Sequence, residues 1–290
     1  MNLQFVQFTR PGTPGPRLGV VRGQTIVDLQ IADPTVPGDL VQLIATDGLA
    51  HAASVAAQAA TAATAELGAV QLLPPVIRPG KVICLGLNYA DHAAEGGNAR
   101  PAYPSFFMRG ATSLIGHGQP LIRPRVSQKL DFEAELALVV GRRARHLTPS
   151  NALGAVAGYA CFNDATLRDY QRRTAQWTIG KNFDGTGAFG PWFVPAPDLP
   201  PGAAGLKIES RLNGKVMQSD NTKNMLFPVA ETLCLITEAI TLEPGDVVVM
   251  GTPAGVGYAR TPPVWMQPGD RIEIEIEGIG VLGNTVTDEE

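Results

Sequence analysis

Glu133 and Glu135 stand two residues apart in the segment LDFEAELALVVG. In a strand both side chains leave the same face, about 6.6 Å apart along the chain, close enough to converge on one cation. Without a cation or protons, two carboxylates at that spacing repel. An ordinary solvent-facing strand would carry the same pattern, and spacing alone leaves both readings open. In Cys161-Phe162-Asn163-Asp164 an apolar run ends on an acid and a helix then opens. Arg168 and Gln171, four and seven residues on, share a helical face with Asp164. The plainer alternative is an N-cap Asp followed by solvated polar residues. Lys181 follows Trp177 and Gly180, an unusual setting for a Lys, although a lone Lys is commonly a surface group. His92 and Glu95 are three apart on an expected short helix, where the carboxylate can orient the imidazole and stabilise its charged form. Such a pair makes a base able to activate water. Gly96-Gly97 behind it read as a hinge, and residues 89–100 as a mobile lid. His51, His117 and His146 have no acidic partner at useful spacing and receive no role.

Strands are the main elements expected to hold these groups. They are placed at 3–8, 18–29, 82–87, 105–108, 131–141, 206–213 and 215–218, with Asn213-Gly214 signalling a type I′ hairpin. Along 131–141, Phe132, Ala134, Leu136 and Leu138 should face one way, and Glu133, Glu135, Ala137 and Val139 the other. Pro244-Gly245-Asp246 and Pro268-Gly269-Asp270 each precede a further strand. Helices are expected at 38–45, in the Ala-rich 49–67, and at 149–156, 166–174 and 228–239. Strands and scattered helices without regular βαβ alternation give an α+β fold. A Pro- and Gly-punctuated break near residue 76 divides a small domain, 1–75, from a larger one, 76–290.

Composition narrows the function. Among 290 residues, 44% are hydrophobic and 17% charged, which supports a large core and excludes a disordered chain. A net charge of −4 gives no reason to expect a nucleic-acid partner. The 3 Cys are scattered and odd in number, fitting a reducing compartment. No signal peptide or apolar run of roughly 18 residues stands out, so no membrane partner and a cytoplasmic location are expected. The GxGxxG at 185–190 lacks a preceding apolar strand and runs into Pro191, so it does not read as a dinucleotide site. The loop from Gly251 to Gly255 resembles a phosphate loop only in its glycines.

The strings LDFEAELALVVG, GYACFNDATLRDYQ, QWTIGKNFDGTGAFGPW, RLNGKVMQSDNTKNMLFPVAE, LEPGDVVVMGTPAGVGYAR and QPGDRIEIEIEGIG occur in this order. Together they resemble the fumarylacetoacetate hydrolase family, including its acylpyruvate hydrolase and 2-hydroxyhepta-2,4-diene-1,7-dioate isomerase-like members. The resemblance runs from about residue 79 to 287. It implies a mixed β-sandwich roll of the family's C-terminal type, preceded by a small N-terminal α+β domain. It further implies one Mg²⁺ or Mn²⁺ per subunit, held by Glu133, Glu135 and Asp164. His92 and Glu95 match the family's water-activating lid dyad, and Lys181 its catalytic Lys. Tyr89, Arg168, Gln171 and Thr252 are the implied substrate contacts. Arg109 stands where relatives often carry Lys, so its planar fork is expected to alter carboxylate recognition. The implied activity is hydrolysis of the C–C bond of an acylpyruvate, a small 2-oxo acid, to pyruvate and a carboxylic acid. Oxaloacetate decarboxylation and enol–keto isomerisation are the alternatives on the same site, with a non-catalytic metal-binding protein as a third reading. The family further implies a homodimer.

Overall fold

The computed structural model describes residues 2–95, 97, 99 and 101–290. Gly96, half of the expected hinge, therefore lies outside the described residues.

A run of seven buried residues, Ala134–Val140, forms the central strand of a twelve-stranded sheet. Its alternation works as expected, but both faces are covered. Leu136 and Leu138 enter one core, while Ala137 and Val139 enter another on the opposite face. The solvent-facing alternative for Glu133 and Glu135 is thereby removed, because this strand has neither an open face nor an open edge. Val156–Asp164 pairs antiparallel on one side and Val247–Val249 on the other. Val82–Gly86 and then the edge strand Ser105–Arg109 continue the sheet. In the other direction Gly187–Pro195 follows, so the rejected GxGxxG enters a strand and opens no helix.

Phe5–Thr9 joins next through Phe5 opposite Phe193, followed by Arg17–Arg22, Thr25–Asp28 and Thr64–Glu66. The expected boundary near residue 76 falls in the connection after Gln71–Leu73, and sheet and core run continuously across it. Leu18, Leu40 and Leu43 of the N-terminal part pack in one cluster with Ala137, Val139 and Phe162.

The second sheet has five strands, in the order Lys215–Asn221, Lys207–Leu212, Arg271–Ile276, Gly280–Asp288 and Leu121–Arg123. Ile208, Ile272, Ile274 and Ile276 project from it against Leu136, Leu138 and Cys161, closing the sandwich. Asn213 and Gly214 adopt φ of 51° and 77°, as a type I′ turn requires.

Several helices are shorter than their composition suggests. The Ala-rich segment is α-helical only over Leu49–Gln58, since Thr64–Glu66 pairs with the edge of Thr25–Asp28. Tertiary pairing outweighs helix propensity there. Likewise Thr166–Leu167 pairs with Leu130–Asp131, which limits the following helix to Arg168–Gln171. The expected helix at 149–156 reduces to one 3₁₀ turn, Ala152–Ala155.

Candidate active site and metal centre

Strand register brings the carboxylates together. Ala134 faces Asn163 across the ladder, which sets Glu133 opposite Asp164, and the Asp164 amide donates to the Glu133 carbonyl at 3.0 Å. Residues directly opposite share a face, and Glu135 follows two residues on. One oxygen from each of Glu133, Glu135 and Asp164 lies within 4.8 Å of the others, and all three residues are buried.

Cations surround this cluster. The Lys181 ammonium donates to Asp164 at 2.5 Å and also to Glu133. Arg168 spends its guanidinium on Asp131 at 2.8 Å, Glu133 at 2.7 Å and Gln171 at 2.9 Å. Arg109 donates to Asp164 and to Thr186 at 2.8 Å. Four buried carboxylates (Asp131, Glu133, Glu135, Asp164) thus face three buried cations, leaving one negative charge in excess.

That excess concentrates on Glu135, whose side chain accepts one bond among the described residues, from the Gly251 amide at 2.6 Å. Burial, then Asp164 and Glu133, push its carboxyl well above the usual range. Burial also opposes charge on Glu133, but Arg168 and Lys181 override it and hold that carboxyl low. On Lys181, burial is outweighed by Asp164 and Glu133, so the amine stays protonated. A buried carboxylate with no counter-ion must take up a proton or a cation. Three hard oxygen donors in this state fit a divalent cation such as Mg²⁺ or Mn²⁺.

Above the cluster is a cavity of about 310 Å³ lined by Glu133, Glu135, Arg168, Gln171, Lys181, Thr252 and His92, with Leu85, Phe107, Trp177, Arg172 and Tyr258 as further walls. Gly86 is required in this wall, because a Cβ there would come within 2.1 Å of the Trp177 ring. His92 lies on the helix Ala90–Glu95, and its Nδ1 is 2.8 Å from Glu95 Oε1. The other Glu95 oxygen accepts from the Gly255 amide at 2.9 Å, fixing the dyad to a second loop.

These features go together with a match over residues 81–287 to the profile described as fumarylacetoacetate (FAA) hydrolase C-terminal. The chain belongs to that family. It is 38% identical over 289 residues to the Bos taurus protein named oxaloacetate tautomerase FAHD2A, mitochondrial, covering 98% of this chain and 92% of that one. The solved fumarylacetoacetate hydrolase of Exiguobacterium antarcticum superposes with a TM-score of 0.84 at 36% identity, covering 99% of this chain and all of the other (100%). Maleylpyruvate hydrolase from Sphingobium sp. SYK-6 does so at 0.80 and 29% identity, covering 99% and 100%.

Seven of the expected site residues line the cavity. Glu95 and Asp164 stand directly behind it, each bonded to a residue that lines it. Two family-derived expectations are placed differently. Arg109 is enclosed, and its fork holds Asp164 where substrate contact was expected. Arg109 shares the face of the edge strand Ser105–Arg109 with Phe107, which lines the cavity, but it is buried against Asp164 and Phe162, so the Lys-to-Arg departure acts on the floor. Tyr89, expected against substrate, is 1% exposed and packs in the sandwich core, pinned by a backbone bridge to Met225.

The loop after Val247–Val249 does more than its glycines suggested. Its amides at Gly251, Gly255, Gly257 and Tyr258 donate to Glu135, Glu95 and Asp131. Gly251 has φ of +85°, and a Cβ there would strike Asn88 at 2.7 Å. Gln218 was not anticipated either. It accepts from the Ala134 amide and donates to Thr252 Oγ1 at 2.7 Å, linking the central strand to the cavity rim. Asp131 was also missed, although it continues the two-residue spacing of Glu133 and Glu135. Among the described residues, no helix is long and apolar enough to cross a membrane.

Proposed function

We propose that this protein catalyses enol–keto tautomerisation of a small 2-oxo dicarboxylic acid of the oxaloacetate type, assisted by one Mg²⁺ or Mn²⁺ at Glu133, Glu135 and Asp164. The observation that carries it is His92, paired with Glu95, lining the same small cavity as an under-compensated carboxylate cluster. Similarity to oxaloacetate tautomerase FAHD2A along almost the whole chain supports the choice of substrate. When bound, the cation would supply Lewis-acid polarisation of the 2-oxo oxygen.

The chain's own groups supply the rest. Nδ1 of His92 is tied to Glu95, which leaves Nε2 as the basic nitrogen, a tautomer assigned from the hydrogen bond. Nε2 takes a proton from C3 of the keto acid, and a proton is returned at the 2-oxygen, so atoms are conserved. Lys181, kept protonated by Asp164 and Glu133, sets a positive charge beside the oxygen where negative charge develops. Glu95 stabilises the imidazolium formed meanwhile. Leu85, Phe107 and Trp177 supply apolar wall, which strengthens these electrostatic effects.

A second reading is favoured by the same dyad. His92 could deprotonate water for attack on an acylpyruvate, giving pyruvate and a carboxylic acid, as the likeness to maleylpyruvate hydrolase suggests. Oxaloacetate decarboxylation stays a side activity to assay on this site, and a homodimer is part of the proposal, checked by sedimentation. The deciding experiment follows enol absorbance of oxaloacetate and pyruvate release from acylpyruvates, with and without Mg²⁺. Tautomerisation should exceed both other activities, and His92→Ala should cost about 10²–10⁴ in rate while Mg²⁺ affinity is kept. Faster acylpyruvate cleavage would transfer the assignment to the second reading. No acceleration of either reaction would end both.

A further inference from the structure

The proposed cation and a 2-oxo acid head would account for the charge on the cavity floor, but a dicarboxylic substrate brings a second carboxylate. Lys181 and Arg168 line the cavity and are already bonded to Glu133, Asp164 and Asp131. Arg172 is the other cationic side chain in the wall. Among the described residues its guanidinium makes no hydrogen bond and no ion pair, and the residue is exposed at the rim.

Its position is nevertheless defined. The guanidinium carbon lies 4.4 Å from the centre of the Tyr258 ring, and that of Arg168 lies at the same distance from this ring. Tyr258 is fixed in turn by its amide, which donates to Asp131 at 3.1 Å, the carboxylate that also holds Arg168. The Arg172 amide donates to the Arg168 carbonyl at 3.2 Å, closing the helical turn that places the two arginines side by side. Stacking on an aromatic face restrains a guanidinium without consuming its N–H donors, so the fork stays available to a carboxylate.

We propose that Arg172, stacked on Tyr258, is a specificity-determining residue that binds the distal carboxylate of a 2-oxo dicarboxylic acid, with the 2-oxo acid head on the buried carboxylate cluster. This deepens the tautomerase reading and rests on it for the substrate's head group. Arg168, with every guanidinium nitrogen engaged, serves as a positioning residue for Glu133.

The test separates binding from turnover. Isothermal titration of the full-length Mg²⁺-loaded protein would use 2-hydroxysuccinate, its near-isostere 2-hydroxybutanoate without the distal carboxylate, and oxalate, which has only a head group. The wild type should prefer 2-hydroxysuccinate over 2-hydroxybutanoate by about 10-fold, as one exposed bidentate ion pair allows. Arg172→Met should bring that ratio close to one and leave oxalate affinity within about twofold. Arg172→Lys, which keeps charge but loses fork and stack, should keep part of the ratio. An absent preference in the wild type, an unchanged ratio in Arg172→Met, or an equal loss for oxalate would each overturn the proposal. A protein that shows the Arg172-dependent preference yet tautomerises nothing would lose the activity reading and keep this one.

Discussion

On the outer face of the five-stranded sheet, Arg211 donates to Glu275 at 2.5 Å and to Glu273 at 3.3 Å, and Arg271 donates to Glu273 at 3.1 Å. Beneath the cavity, Arg168, Arg109 and Lys181 make contacts of similar length to Asp131, Glu133 and Asp164. Residue types and distances barely distinguish the two clusters; their solvent does. Glu275 keeps 45% of its side chain exposed and Arg211 21%, so water and salt screen that ladder. Side chains on the cavity floor are at most 5% exposed, and no water compensates an unpaired charge there. A surface ladder can gain or lose a partner cheaply. A buried cluster with one surplus carboxylate is poised to take up a cation.

The largest contrast should come from removing one carboxylate charge in each cluster. Glu135→Gln should abolish Mg²⁺ binding in a titration and with it the activity, whereas Glu275→Gln should change neither. The same variant should be more stable than the metal-free wild type at neutral pH, by on the order of 1 kcal/mol or more. The sign follows from the raised carboxyl of Glu135. Its stabilising contribution is complete below the unfolded carboxylate value, about 4.3, and is lost as pH rises through the folded value. Chemical denaturation with chelator at several pH values reads this directly. A variant that is less stable than the wild type at neutral pH would break the contrast.

After that loss of metal binding and activity, the largest contrast in stability should come from removing the cation partner. Arg109→Met leaves Asp164 with Lys181 alone inside the protein and should cost about 3–5 kcal/mol. Arg211→Ala on the ladder should cost no more than about 1 kcal/mol after allowance for screening. Denaturation curves that place the two variants within error of each other would show that burial does not set the difference.

Legibility in the sequence follows the same division. Local periodicity reveals side chains on one element: Glu133 with Glu135 at a period of two, and His92 with Glu95 at helical spacing. It also gives the Asn213-Gly214 hairpin, because a type I′ turn selects those residues directly. Asp164 was legible as the acid that ends an apolar run, but its place opposite Glu133 depends on strand register, which local spacing does not give. The Gly251, Gly255 and Gly257 amides were invisible as ligands of carboxylates, since a backbone N–H carries no residue type. Arg109 misled because its fork suits a carboxylate, and nothing in the sequence says that the carboxylate it meets is the chain's own Asp164. Arg172 gave no signal, being one Arg among neighbours until Tyr258, 86 positions later in the numbering, lies against it.

The smallest expected effect lies where the ladder meets the interior. His117 Nδ1 accepts the Gly283 amide at 3.0 Å, and that bond needs an unprotonated nitrogen. Burial lowers the pKa of this imidazole below its ordinary value, and Arg271 from the ladder lowers it further, while Glu273 pulls the other way. A histidine whose folded value is depressed contributes stability above its unfolded pKa, near 6.5, and loses that contribution as pH falls through the folded value. The wild type should therefore lose about 1 kcal/mol more than His117→Asn between pH 7.5 and pH 5.5, since the Asn oxygen can accept from Gly283 at any pH. Thermal or urea unfolding at the two pH values measures the difference. Parallel losses in the two proteins would mean that Arg271 and burial leave His117 free to protonate, and that the ladder's screening extends further inward than its exposed carboxylates.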